Sequence, residues 1–123
     1  MLKSKIHRAT VTQADVHYQG SLTLDTHLLH AADIVPYEEV HVWNVTRGTR
    51  FRTYAMTGEI GSGVVCANGA AALLVSPGDL IIIATFTMLE DAELDGFRPK
   101  LVFVDAANRI TEVKAEEVAG PMY

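Results

Sequence analysis

A serine hydroxyl placed directly after a glycine carbonyl can react within its own chain, and Gly20-Ser21 offers that pair. Glycine has no side chain to shield its carbonyl and reaches strained backbone angles, so the Ser21 hydroxyl can attack it from within the chain. The same dipeptide is an ordinary turn sequence, and on these residues alone both readings stand. In Arg50-Phe51-Arg52-Thr53-Tyr54, strand alternation puts Arg50, Arg52 and Tyr54 on one face and Phe51 and Ala55 on the other. Two cations and a phenol together suit an anion site with a proton donor. Thr53 has the wrong parity for that site unless the strand ends or bulges there. Asn68-Gly69-Ala70-Ala71-Ala72 is a turn followed by very small side chains. It either lets a ligand approach main-chain N–H and C=O groups closely or is a hairpin leading into a packed strand.

Other constellations carry less. Gly58 to Gly63 reads Gly-Glu-Ile-Gly-Ser-Gly, but no strand-loop-helix context makes it a phosphate loop, and a turn is the simpler reading. His27 and His30 are three apart on a predicted helix face. With no third ligand at a fixed spacing and one cysteine, they read as surface histidines and no metal is expected.

The elements that must position these residues are short. Lys3 to Val11 alternates and predicts a strand. The stretch from Asp15 to Tyr18 leads through a Gly20-Ser21 turn into the alternating Leu22-Thr23-Leu24. Asp25-Thr26 can cap a short helix with Leu28, Leu29 and Ala32 at helical spacing, closed by Pro36. Val40 to Val45 and Arg50 to Met56 flank Thr46-Arg47-Gly48-Thr49 as a hairpin. Val64 to Ala67 meets the Asn68-Gly69 turn, and Ser76-Pro77-Gly78-Asp79 turns into the apolar run Leu80 to Met88. Leu89 to Leu94 suits one or two helical turns, and Leu101 to Val104 with Ile110 to Val113 flank Ala107-Asn108 as a last hairpin. Six to eight strands with one or two short helices predict a mainly β, small barrel in one domain, with a frayed tail at Gly120 to Tyr123.

Composition is consistent with this. At 123 residues, 49% hydrophobic and 20% charged, the chain suits a single globular domain with a real core. Net charge is −5, which disfavours nucleic acid and anionic membranes as partners. The positive charge is nonetheless concentrated in Lys3-Lys5-Arg8 and Arg47-Arg50-Arg52, with no acidic residue from Val40 through Thr57. Either two spots bind a small anion, or these are ordinary strand and turn surfaces. The lone Cys66 cannot form an internal disulfide, no secretory pattern is visible, and no apolar run nears the roughly 20 residues of a membrane span. A cytoplasmic, soluble protein is expected.

Five ordered blocks go further. Lys5-Ile6-His7-Arg8-Ala9, His17-Tyr18-Gln19-Gly20-Ser21, Trp43-Asn44-Val45-Thr46, Arg50 through Tyr54, and Asn68-Gly69-Ala70-Ala71-Ala72 resemble, in order and spacing, the pyruvoyl-dependent aspartate 1-decarboxylases. The resemblance runs from about Leu2 to Val104. It implies a double-psi β-barrel assembled as a homotetramer with active sites between subunits. It also implies that Ser21 attacks Gly20, cutting the chain into residues 1 to 20 and 21 to 123 and leaving a pyruvoyl cofactor at position 21. The amine of L-aspartate would condense with that group as an imine, CO₂ would leave, and β-alanine, a pantothenate precursor, would be released.

By the same resemblance, Lys5 and Arg50 hold substrate carboxylates and Tyr54 donates a proton. Thr53 serves processing and substrate contact, and Gly69, Ala70 and Ala71 form a backbone-lined pocket. His7, Tyr18, Trp43 and Asn68 line the site. Some relatives use an accessory acetyltransferase-like protein to promote cutting. The chain departs from many relatives at Leu73, where they carry His, and from Asp105 onward. Two other classes fit the bare residues: a non-catalytic barrel gripping a small anion, and a hydrolase exposing Ser21 as an N-terminal nucleophile.

Overall fold

The computed structural model describes residues 1–19 and 21–117. Among them nine strands form, more than the six to eight expected: β1 (Leu2–Thr10), β2 (Gln13–Asp15), β3 (Leu22–Asp25), β4 (Glu39–Asn44), β5 (Arg50–Gly58), β6 (Val65–Asn68), β7 (Leu80–Phe86), β8 (Lys100–Val104) and β9 (Ile110–Lys114). The extra one is β2. Its three residues carry no alternation of their own, and its pairing is a parallel one with distant β6. The expected tail at Gly120 to Tyr123 lies outside the described residues.

Strand order is β2-β6-β3-β5-β4-β7-β1-β8-β9. One segment links both ends of that order. Residues 2–10 pair with β7 and β8, and after two residues the same run pairs with β6. Thr12 fastens the corner, donating its N–H to the Val65 carbonyl at 2.8 Å and accepting the Val65 N–H at 2.9 Å. Three pairings are parallel (β1 with β8, β2 with β6, β3 with β5) and the others are antiparallel. The fold is mainly β with one short helix, as expected.

Alternation decides the interior. Val40 and Val42 of β4, Ile81 and Ile83 of β7, and Leu22 and Leu24 of β3 are fully buried, each worth about 1.5–3 kcal/mol against exposure. The helix α1 (Thr26–Ala32) covers one end, burying Leu28, Leu29 and Ala32 as its spacing predicted. Asp25 caps it by accepting the His27 N–H, and Asp33 ends it at φ 56°.

The motif Trp43-Asn44-Val45-Thr46 has a structural reason. Buried Asn44 accepts the N–H groups of Thr46 and Arg47 and donates to Asp79 Oδ2 at 2.9 Å. Asp79 in turn holds the Ser76 N–H at 2.9 Å and Arg47 Nε at 3.0 Å. The hairpin turn and the Ser76-Asp79 turn are thereby locked together. Burial would raise the Asp79 pKa, but these hydrogen bonds and the Arg47 charge hold it below the ordinary carboxylate value.

Candidate active site

Ser21 immediately precedes β3 and is completely buried. Its carbonyl accepts the Asn68 N–H at 2.8 Å. Leu22 lies opposite Ala55 in the parallel β3–β5 pair and opposite Ala67 in the antiparallel β3–β6 pair, so the registers set Ser21 between Tyr54 and Asn68. The Ser21 hydroxyl has no hydrogen-bond partner among the described residues. A buried hydroxyl in that state is costly unless chemistry uses it. Gly20 lies outside the described residues.

Asn68 is held from three sides. Its N–H bonds the Ser21 carbonyl, its Nδ2 donates to Thr23 Oγ1 at 3.2 Å, and its Oδ1 accepts the Cys66 thiol at 3.2 Å. Burial and the Asp15 charge push that thiol's pKa up, so it remains a proton donor to Asn68. Sequence reasoning missed Cys66 and Thr23, and only their two-residue spacing from Asn68 and Ser21 hinted at a shared face.

Beyond Asn68 the chain forms a 3₁₀ helix over Gly69–Leu73, with Gly69 at φ 64°. Of the two readings left open for this block, the hairpin leading into a packed strand is not the one that forms. The small side chains wrap the backbone tightly enough to leave a cavity of ≈ 210 Å³ bounded by Arg52, Thr53, Asn68, Ala70 and Ala71. Thr53 lies on the opposite parity from Arg50 and Tyr54, as alternation predicted, and faces this hollow with Phe51, while the exposed Arg52 reaches its edge. Two further hollows adjoin β5. Arg50 shares one with Trp43, its partner in register, and with His41, which is opposite Arg52. Tyr54 shares the other with Gln19, Thr23 and Tyr37. Tyr18 lies in the turn over 16–19 and is exposed.

The positive segments now separate by role. Arg47 is ion-paired to Asp79, Arg52 reaches Glu39 at 3.9 Å, and Lys3 pairs with Glu38 at 2.6 Å. Arg50 makes no ion pair among the described residues, which leaves its guanidinium available to an anion.

Lys5 and His7 are not brought to this site. Lys5 is opposite Ala84, which is opposite His41, which is opposite Arg52. Three strand spacings, roughly 14 Å, separate Lys5 from Arg52. Lys5 instead meets Glu117 at 3.1 Å, and His7 packs on Phe103 with ring centroids 5.4 Å apart. Burial, with the charges of Lys5 and Arg8, lowers the His7 pKa against the opposing pull of Glu117.

The other constellations resolve structurally. The Gly61 and Gly63 N–H groups, which a phosphate would need, are taken by the Asp25 carboxylate at 3.0 and 2.8 Å. His27 and His30 are exposed, as surface histidines. No described helix is long and apolar enough to cross a membrane.

A buried hydroxyl, an unpaired guanidinium, a phenol and a small-residue pocket around one strand suit attack at a carbonyl and capture of a small acid. A family profile described as Aspartate decarboxylase matches residues 1–111. The aspartate 1-decarboxylase of Myxococcus xanthus is 59% identical over 121 residues, covering 98% of this chain and 93% of the relative. That of Chromobacterium violaceum is 60% identical over 121 residues, covering 98% and 96%. Among solved structures, the rationally designed mkDPBB_sym_86 protein, a double-psi β-barrel, aligns with a TM-score of 0.50 at 16% identity, over 66% of this chain and 95% of the design. That likeness supports the barrel fold, and the match along almost the whole sequence settles the lineage: the chain belongs to the aspartate decarboxylase family.

Proposed function

We propose that the chain is a self-processing aspartate 1-decarboxylase that removes the α-carboxylate of L-aspartate as CO₂ and releases β-alanine for pantothenate synthesis. The carrying observation is Ser21, fully buried, unpartnered among the described residues, and set by two registers between Tyr54 and Asn68. Full-length similarity to aspartate 1-decarboxylases supports the same reading.

Maturation begins when the Ser21 hydroxyl attacks the Gly20 carbonyl and the acyl group shifts from nitrogen to oxygen. Elimination releases residues 1–20 as a carboxylic acid, and hydrolysis expels ammonia, leaving a pyruvoyl group on residues 21–123. The Asn68 N–H, 2.8 Å from the Ser21 carbonyl, holds the residue still during this rearrangement. The residues fit the group: the hydroxyl that generates it is buried and without a partner among the described residues, and Asn68, which bonds the Ser21 carbonyl, also lines the hollow bounded by Ala70 and Ala71. When formed, the pyruvoyl supplies an electrophilic carbonyl and electron sink that side chains lack.

The remaining chemistry falls to the chain. Arg50 binds a substrate carboxylate as a charge-assisted pair. Thr53 and the 3₁₀ backbone shape the pocket, Trp43 stands beside Arg50 in the adjoining hollow, and Tyr54 delivers the proton that replaces CO₂. Lys5 and His7, distant within one chain, reach the site from a neighbouring copy in a homotetramer. This also explains how so small a chain builds an enclosed site. The enzyme works in the cytoplasm.

Denaturing mass spectrometry tests the proposal. The purified protein should give fragments 1–20 and 21–123, the larger lighter by one ammonia than a serine-initiated chain, and Ser21→Ala should remain whole and inactive. An intact chain in the active enzyme, or an ordinary N-terminal serine, would overturn it.

A further inference from the structure

The loop before β4 contains a residue that its backbone does not favour. Residues Val35 to Glu38 form a turn closed by the Glu38 N–H on the Val35 carbonyl at 3.1 Å. Pro36 holds its second position and Tyr37, at φ 72°, its third. This is the type II pattern, whose third position belongs to Gly or Asn because a side chain there crowds the backbone. The turn is nonetheless firmly built. Glu38 Oε1 accepts the Val35 N–H at 3.0 Å, and Lys3 Nζ bonds both Glu38 Oε2 and the Asp33 carbonyl at 2.6 Å.

Burial does not account for the tyrosine, which is 72% exposed. Its ring meets Tyr54, stacked at 5.9 Å between centroids with an interplanar angle of 24°. The backbone beneath the stack is doubly tied: the Tyr37 N–H bonds the Ala55 carbonyl at 2.8 Å, and the Ala55 N–H bonds the Glu38 carbonyl at 3.0 Å. The turn and strand β5 therefore move as one body, with the two rings facing each other above it.

We infer that Tyr37 is a positioning residue for the decarboxylation step, its ring holding the Tyr54 phenol in the hollow shared with Gln19. Tyr54 stands on the open face of a strand, 39% exposed, where its ring is otherwise free to change rotamer. A stacked neighbour removes that freedom before substrate arrives. This inference rests on the reading of Tyr54 as the proton donor.

Three variants separate the possibilities, with kcat expressed per processed site and the cut fraction read by mass. Tyr37→Asn suits the positive φ but removes the ring. It should unfold at or above the wild-type temperature, keep the native mass and the KM for aspartate, and lose about fivefold to tenfold in kcat. Tyr37→Phe keeps the stack and should retain kcat, while Tyr54→Phe should be severely impaired. Wild-type kcat in Tyr37→Asn beside an impaired Tyr54→Phe would overturn the positioning role alone. Wild-type kcat in Tyr54→Phe would overturn the proton-donor reading and this inference with it. A loss in Tyr37→Asn matched by Tyr37→Phe, or explained by a changed native mass or cut fraction, would also overturn the positioning role.

Discussion

Replacing Asp25 by Ala should be among the most damaging single changes away from the reacting groups. Asp25 is 3% exposed, ends β3, and gathers three backbone donors: the His27 N–H at 2.8 Å and Gly61 N–H at 3.0 Å on Oδ1, and the Gly63 N–H at 2.8 Å on Oδ2. Loss of the helix cap costs about 1 kcal/mol. The buried Gly63 N–H, left without an acceptor, adds about 2–3 kcal/mol, and the Gly61 N–H about 1 kcal/mol more. The sum, about 4–5 kcal/mol, is a large part of the roughly 5–15 kcal/mol that holds such a domain together. Asp25→Asn keeps one acceptor oxygen but turns an amide N–H toward a donor, and should cost about half as much.

The pH dependence follows from the same bonds. Burial by itself would raise the Asp25 pKa, but the N–H groups of Gly63, His27 and Gly61 outweigh it and hold the carboxyl below its ordinary value. The folded chain therefore binds fewer protons than the unfolded one at acid pH. The stabilisation is complete above the unfolded carboxyl value of about 4 and is lost as pH falls through the lower folded value. Urea unfolding followed by Trp43 fluorescence, at fixed protein concentration in an uncut Ser21→Ala background, reads both effects. A gap between Asp25 and Asp25→Ala below about 1 kcal/mol at pH 7 would refute the bonding argument. A gap between Asp25 and Asp25→Asn that stays constant into the acid range would refute the linkage.

Arg50→Ala should raise the KM for aspartate about tenfold or more, through loss of a charge-assisted contact, while the fraction cut stays at the wild-type level; steady-state kinetics and intact mass on one preparation check both. Asn108 is buried at φ 62°, donates to the Thr10 and Gly63 carbonyls at 2.8 Å each, and accepts the Thr10 N–H at 2.8 Å. Asn108→Ala should therefore destabilise the chain by about 2–4 kcal/mol in urea unfolding, and Asn108→Gly, which relieves only the backbone, should recover part of that.

Local periodicity and punctuation made much of the fold legible. Val40 and Val42 alternate with His41 and Trp43, Leu28, Leu29 and Ala32 recur at helical spacing after Asp25, and Thr46-Arg47-Gly48-Thr49 marks a hairpin. Each element arose as read, because side-chain period and turn chemistry act within a few residues. The order and spacing of five short blocks, Gly20-Ser21 among them, carried the family lineage across nearly the whole chain. A sequence retains such motifs whether or not its contacts are known.

What the residues alone left open depended on partners far along the chain. Strand β2 exists because β6 pairs with it. Thr53 faces a pocket because the Gly69–Leu73 segment folds as a 3₁₀ helix opposite it. Asp25 and Asn108 looked like a cap and a turn residue, yet they hold loops dozens of residues away. Of the cations in the two positive segments, Lys3, Lys5, Arg47 and Arg52 meet carboxylates within the chain, and Arg8 and Arg50 make no ion pair among the described residues, Arg50 alone of these two lying on β5 beside the pocket. A one-dimensional pattern records which residues share a strand face. Register, closure and long-range pairing decide which faces meet, and only those meetings determine whether a hydroxyl is buried, a charge is satisfied or two tyrosines stack.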